Sequence, residues 1–105
     1  MQDDDKESLG LKYDRGKPLF SLLTRSLATP LLRVAEVLTY GANKYKADSW
    51  QTIPNAKVRY EDALDRHLNA WKRGESRDPE SGLHHLAHVA TNALFLLWFY
   101  QEEQP

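Results

Sequence analysis

Residues 78–100 read DPESGLHHLAHVATNALFLLWFY, and the fold turns on how this stretch is read. Asp78-Pro79 is a helix-start signal, with Asp78 as the cap and Glu80 in the first turn. The pattern predicts a helix running to Glu102, roughly 24 residues and 36 Å long. Its far end, ALFLLWFY at 93–100, is apolar on every side. A helix that is hydrophobic all round is a buried one. In a chain of 105 residues, a second copy of the chain is the natural cover.

The near end of the same helix carries His84, His85 and His88, followed by Asn92. His85 and His88 stand at i, i+3, and His84 and His88 at i, i+4. Both spacings place imidazoles on one face, where they can share a metal or a phosphate. The alternative is a set of core histidines satisfied by hydrogen bonds.

Upstream, the apolar residues Tyr60, Leu64, Leu68 and Trp71 recur at helical spacing. They predict a helix from about Asn55 to Arg73, stopped near Gly74. Its other side carries Glu61, Asp62 and Asp65. Two readings fit this acidic face: a solvated surface, with Asp62 paired to Arg66 or Arg59, or a set of hard oxygen ligands. A connection of about five residues makes the two helices antiparallel neighbours. The acids and the histidines then lie at opposite ends of the hairpin. A shared site would need a second subunit; otherwise the two clusters are separate sites.

Further upstream, Thr29-Pro30 predicts a helix start, and Leu31, Val34, Ala35 and Leu38 carry the period toward Tyr45. Glu36 on this helix is either an ion-pair partner of Arg33 or a further acid ligand. Residues 11–23, LKYDRGKPLFSLL, read as an ordered loop or arm, with no helix before Pro18. Residues 1–10 read as a disordered acidic tail. Lys12, Arg15 and Lys17 flank Gly16, where backbone can approach a phosphate closely. Lys44, Arg59 and Arg66 are further cations, and Tyr13, Tyr40, Tyr45 and Trp50 are candidate stacking partners for a base. The ordinary alternatives for these residues are surface lysines and core aromatics.

Composition bounds the function. Net charge is -1, with 14 basic and 15 acidic residues, which argues against a duplex-DNA binder. With no cysteine, disulfides and Cys-based zinc sites are excluded, and a reducing cytoplasm is expected. The N-terminus MQDDDKES is not a signal peptide, and the run 93–100 is too short to span a bilayer. No P-loop, nucleophile elbow or His-Asp dipeptide is present. Carboxylates suit Mg²⁺ or Mn²⁺, and added imidazole tilts the choice toward Mn²⁺ or another transition metal.

Four stretches, KYDRGKPLFSLL, EVLTYGANKY, DALDRHLNAWKRGE and DPESGLHHLAHVATNALFLL, together resemble the phage and bacterial dATP/dGTP diphosphohydrolase domain. The resemblance covers about residues 11–98. That family is related to MazG-like, all-α nucleotide pyrophosphohydrolases. It implies an all-α, small helical bundle over 11–105, with its core completed in a homo-dimer or homo-tetramer. MazG-like enzymes hold Mg²⁺ with an acidic pair, a third acid three residues later, and an E-x-x-D pair on the next helix. Glu61, Asp62 and Asp65 mirror the first element. His85 and His88 mirror the second, with imidazoles where carboxylates are expected.

The resemblance implies hydrolysis of a purine deoxynucleoside triphosphate between its α and β phosphates, giving the monophosphate and pyrophosphate in the cytoplasm of a phage's host. The expected catalytic acids are Asp62, Asp65 and Glu61, and the expected metal ligands are Asp62, Asp65, His85, His88 and Glu36. Lys12, Asp14, Lys17, Lys44, Tyr45, Trp50, Arg66, His67 and Asn92 are expected to contact substrate. The competing reading is a helical module that binds nucleotide or metal without catalysis.

Overall fold

The computed structural model describes residues 15–101. The tail reading at 1–10, and Lys12, Tyr13 and Asp14, lie outside the described residues. Four α-helices follow in chain order: α1 (Phe20–Ser26), α2 (Ala28–Lys44), α3 (Ala56–Lys72) and α4 (His85–Tyr100). A short 3-10 turn at Ser49–Gln51 lies between α2 and α3. No strand forms among the described residues. The all-α reading therefore stands. No helix among the described residues is long and apolar enough to cross a membrane.

The two middle helices begin and end within about a residue of their expected limits, a margin set by fraying at helix ends. Two details differ. Thr29 lies inside α2 rather than capping it; Leu27 is the N-cap and provides no side-chain bond. Residues 20–26, expected in an arm, form α1. That helix has no buried residue and rests on α2.

α3 ends in a Schellman motif, the pair of backbone bonds that closes a helix on a left-handed residue. Gly74 supplies the positive φ of 103°. The Glu75 N–H donates to Ala70 O and the Gly74 N–H to Trp71 O, each at 3.0 Å. The chain therefore turns sharply and presents Glu75 back toward the hairpin.

The largest departure concerns α4. The helix begins at His85, not at Asp78. Asp78 instead closes a turn: its carboxylate accepts the Ser81 N–H at 2.9 Å, and its carbonyl accepts the Gly82 N–H at 2.7 Å. Gly82, at φ 74°, leaves the helical region and ends any helix before it starts. His84 is the true N-cap, its Nδ1 accepting from the Leu86 N–H at 3.0 Å. α4 is thus 16 residues long, about 24 Å. The connection from α3 is an ordered loop pinned to α4 by the His85 N–H, which donates to Ser76 O at 2.8 Å.

α3 and α4 form an antiparallel hairpin, and α2 packs on α4. At one end of the hairpin Trp50 stacks on Phe95, with centroids 4.3 Å apart. Tyr60 tilts against Phe95 and donates its hydroxyl to Trp50 O at 2.9 Å. The opposite end holds the histidines. Only Val37, Ala56 and Ala87 are buried apolar residues among those described.

Candidate metal centre and substrate cavity

His67, on the second half of α3, faces His85 and His88, on the first turns of α4. His67 Nδ1 and His85 Nδ1 are 2.8 Å apart, and the His67 ring stacks on that of His88 at 4.2 Å and 6°. The loop contributes the carboxylates. Glu75 Oε1 lies 2.7 Å from His85 Nε2. Asp78 Oδ2 is 4.0 Å from His88 Nε2, which also meets Ser81 Oγ at 2.7 Å. One donor atom from each of His67, Asp78 and His85 lies within 4.8 Å of the others. Two imidazoles and a carboxylate converging on one point fit a divalent ion.

The environment biases the charge states of His67, His88 and Asp78. Burial, and then the charge His88 would carry, push the His67 imidazole down to about 4. Burial likewise lowers His88, the Asp78 charge opposing it only in part. Burial alone would raise Asp78, but the hydrogen bonds from Ser81 and the neighbouring imidazoles outweigh it and hold the carboxyl below its ordinary range. Neutral imidazoles and an ionised carboxylate are the forms that bind metal.

The His67 shift has a consequence for stability. An imidazole in the unfolded chain titrates near ~6.5. Below that pH the unfolded chain binds a proton that the folded chain refuses, so stability falls as pH drops toward the folded value of about 4. His88 acts in the same direction. Thermal melts of metal-free protein should show a steadily falling midpoint through this window, and a flat profile would refute the neutral pair.

Beside this centre a cavity of about 880 Å³ opens between α2, α4 and the 46–53 connection. His67, Asp78 and His88 line it, together with Arg66, Lys44 and Asn92. Its other wall is aromatic and apolar, with Tyr45, Trp50, Ile53 and Phe95. At the rim Glu80 ion-pairs with Lys44 and accepts the Tyr40 hydroxyl at 2.6 Å. The hydrogen bond with Glu80 holds the Lys44 ammonium above its usual range, and in turn Lys44 lowers the Glu80 carboxyl. Glu80 also raises Tyr40 by accepting its hydroxyl.

The structure brings together His67, His85 and His88, and sets Lys44, Tyr45, Trp50, Arg66 and Asn92 around the cavity. It does not bring the acidic face to the histidines. Glu61, Asp62 and Asp65 are exposed on α3. Asp65 and His67, two residues apart, point about 200° away from each other. Asp62 instead lines a smaller hollow with Arg59, Arg66 and Asn92. Glu36 pairs with Arg33 at 3.0 Å. Lys17 is exposed ahead of α1. Asn92 donates its amide to His88 O at 2.8 Å, and His84 is occupied as the helix cap.

Sequence reasoning missed Glu75, Asp78 and Ser81 as members of the centre. The signal was present in DPESG, which reads equally as an Asx turn ending on glycine. Glu75 directly after Gly74 was the second clue, since a glycine stop turns the next residue back over the helix end.

A helical hairpin with a His- and Asp-lined centre opening on a cavity of about 880 Å³ has the form of a small-molecule site. The chain belongs to the dATP/dGTP diphosphohydrolase N-terminal domain family, which it matches over residues 7–105. It is 35% identical over 89 residues to the dATP/dGTP diphosphohydrolase of Salmonella phage PMBT28. That match covers 85% of this chain and 29% of the relative, so the chain spans under a third of the relative's length. No solved structure matches the chain.

Proposed function

We propose that the chain hydrolyses dATP or dGTP to the monophosphate and pyrophosphate with the help of a divalent ion, Mg²⁺ or Mn²⁺. One observation carries this reading: the His67–Asp78–His85 donor set stands at the wall of a cavity that also presents Arg66 and Lys44. Those three residues would hold the ion. An ion there would supply charge to neutralise phosphate oxygens and to acidify water. Arg66 presents a planar fork suited to phosphate oxygens, and Lys44 a point charge. Lys44 is released for that task only when the substrate's charge displaces Glu80. Tyr45 and the apolar wall around Ile53 offer a slot for the purine, while Trp50 is already stacked on Phe95 on one face. The reaction takes place in the cytoplasm, where nucleotide pools lie.

The chain works as a homo-dimer or homo-tetramer. Leu86, Ala90, Ala93, Leu97 and Tyr100 recur on α4 at alternating steps of four and three, and all are exposed. That is the pattern of a helix seam that packs on another helix. The α2 and α3 packing leaves it uncovered.

A second reading, a nucleotide- or metal-binding module without turnover, draws support from the 29% share of the relative that the chain spans. Anion-exchange analysis separates the two. Each of dATP, dGTP, dCTP and dTTP is incubated with the chain, with and without Mg²⁺ or Mn²⁺. Purine monophosphate and pyrophosphate, formed only with metal, are expected. Nucleotide binding without product would select the binding module.

A further inference from the structure

We propose that Glu75 makes this centre an imidazole-based transition-metal site, by fixing the proton on His85 Nε2 and so directing the His85 Nδ1 lone pair at His67 and Asp78. The proposal deepens the reading above and rests on it for the ion's role in turnover, though not for the ion's binding.

The argument is one of proton accounting. His85 is 3% exposed and meets a partner at each ring nitrogen. An ionised carboxylate only accepts hydrogen bonds. Glu75 Oε1, 2.7 Å from Nε2, therefore keeps the proton on Nε2. A neutral imidazole has one N–H, so Nδ1 holds the lone pair. That lone pair points at His67 Nδ1 at 2.8 Å. Without an ion, His67 must donate from Nδ1 to satisfy it, and every buried side-chain polar atom among the described residues does have a partner. With an ion, the His67 proton moves to its other nitrogen, and two lone pairs and the Asp78 carboxylate converge. The shift is a change of tautomer and leaves the protein's net charge unaltered.

The same accounting sets the class of ion. Mg²⁺ prefers an octahedron of oxygens, and this set offers it one carboxylate against two imidazoles. Zn²⁺, Co²⁺ and Mn²⁺ accept imidazole nitrogen. A carboxylate behind a ligating histidine is the usual outer partner in such centres, and its loss typically costs about ten- to a hundredfold in metal affinity. Glu75 can play that part because Gly74 ends α3 in a left-handed turn directly before it. Its own carboxylate stays outside the ligand set, so it is a positioning residue.

The test is a Co²⁺ titration of chelator-stripped full chain, read by visible absorption and repeated in excess Mg²⁺. Wild-type protein is expected to bind Co²⁺ with one ion per chain, undisturbed by Mg²⁺. Glu75→Gln should weaken binding about ten- to a hundredfold while the metal-free melting temperature holds. His67→Ala should abolish it. Absence of Co²⁺ binding in the wild type, or equal binding by wild type and Glu75→Gln, would overturn the proposal. Should His67→Ala fail to fold, the Glu75→Gln comparison decides alone. Co²⁺ binding without nucleotide hydrolysis would sink the pyrophosphohydrolase reading and leave this site standing. Hydrolysis with Mg²⁺ in a chain that binds no Co²⁺ would do the reverse.

Discussion

Asp78→Asn is expected to cut metal-dependent hydrolysis of dATP and dGTP by at least about a hundredfold, since a ligand matters no less than its outer-shell partners. The fold should survive. Asparagine keeps an oxygen that can accept the Ser81 N–H, so the turn that delivers residue 78 remains. What disappears is the only carboxylate of the donor set, beside a His67 imidazole already biased against charge by burial. Asp62→Asn, measured alongside, separates this arrangement from the one the acidic face suggested. Asp62 is exposed in a smaller hollow that adjoins the cavity and shares Arg66 and Asn92 with it, but it is no member of the donor set. Its variant should retain near-normal turnover. Equal losses in both variants would place the acidic face of α3 at the reaction and defeat the histidine centre.

The second large effect concerns assembly. Light scattering should return two or four times the 12.1 kDa chain mass for the wild type. The pair Ala90→Glu and Leu97→Glu should return the single-chain mass. Leu97 is 62% exposed in the isolated chain, and Ala90 is exposed as well. On a truly solvent-facing helix surface, such changes fall within about 0.5 kcal/mol. Against a partner helix, each would bury a carboxylate with no cation to meet it, and the dissociation constant should rise by more than about a hundredfold. A single-chain mass in the wild type would overturn the assembly outright. Unchanged mass in the variant would move the interface elsewhere, with Phe20 at 71% exposure the next apolar surface to try.

The helices were legible because their signals are local. The stripe from Tyr60 to Trp71 and the stop at Gly74 located α3. The period from Leu31 to Leu38 located α2. α1 was not legible, because LFSLL is too short for a period to show and nothing caps it. The start of α4 was misplaced because Asp-Pro announces a turn as readily as a helix. Only the glycine four residues later decides between them. That single misreading hid much of the centre. With a short connection, Asp78 is a helix cap and Glu75 is a linker residue. With the longer ordered loop, both reach the histidines. Proximity of His67 to His85 was likewise implicit in an antiparallel hairpin, yet it follows only when the loop length is known. The acidic residues stand apart from the histidines because they occupy another side of α3, not because they lie at the other end of the hairpin: Asp62 shares a hollow with Asn92, one turn beyond His88.

The Schellman turn at Gly74 and the Asx turn at Asp78 have a consequence for how the molecule assembles. Everything that would hold the ion lies between His67 and His85, a stretch that two adjacent helices and their own loop can close. Loop-closure entropy over so short a span is small. The cavity is different, because one wall comes from α2, far earlier in the chain. The histidine-lined half of the site is therefore a contact of low sequence separation and the cavity half one of high separation. Local fluctuations that lift α2 away would open the cavity and leave the His67–Asp78–His85 cluster whole.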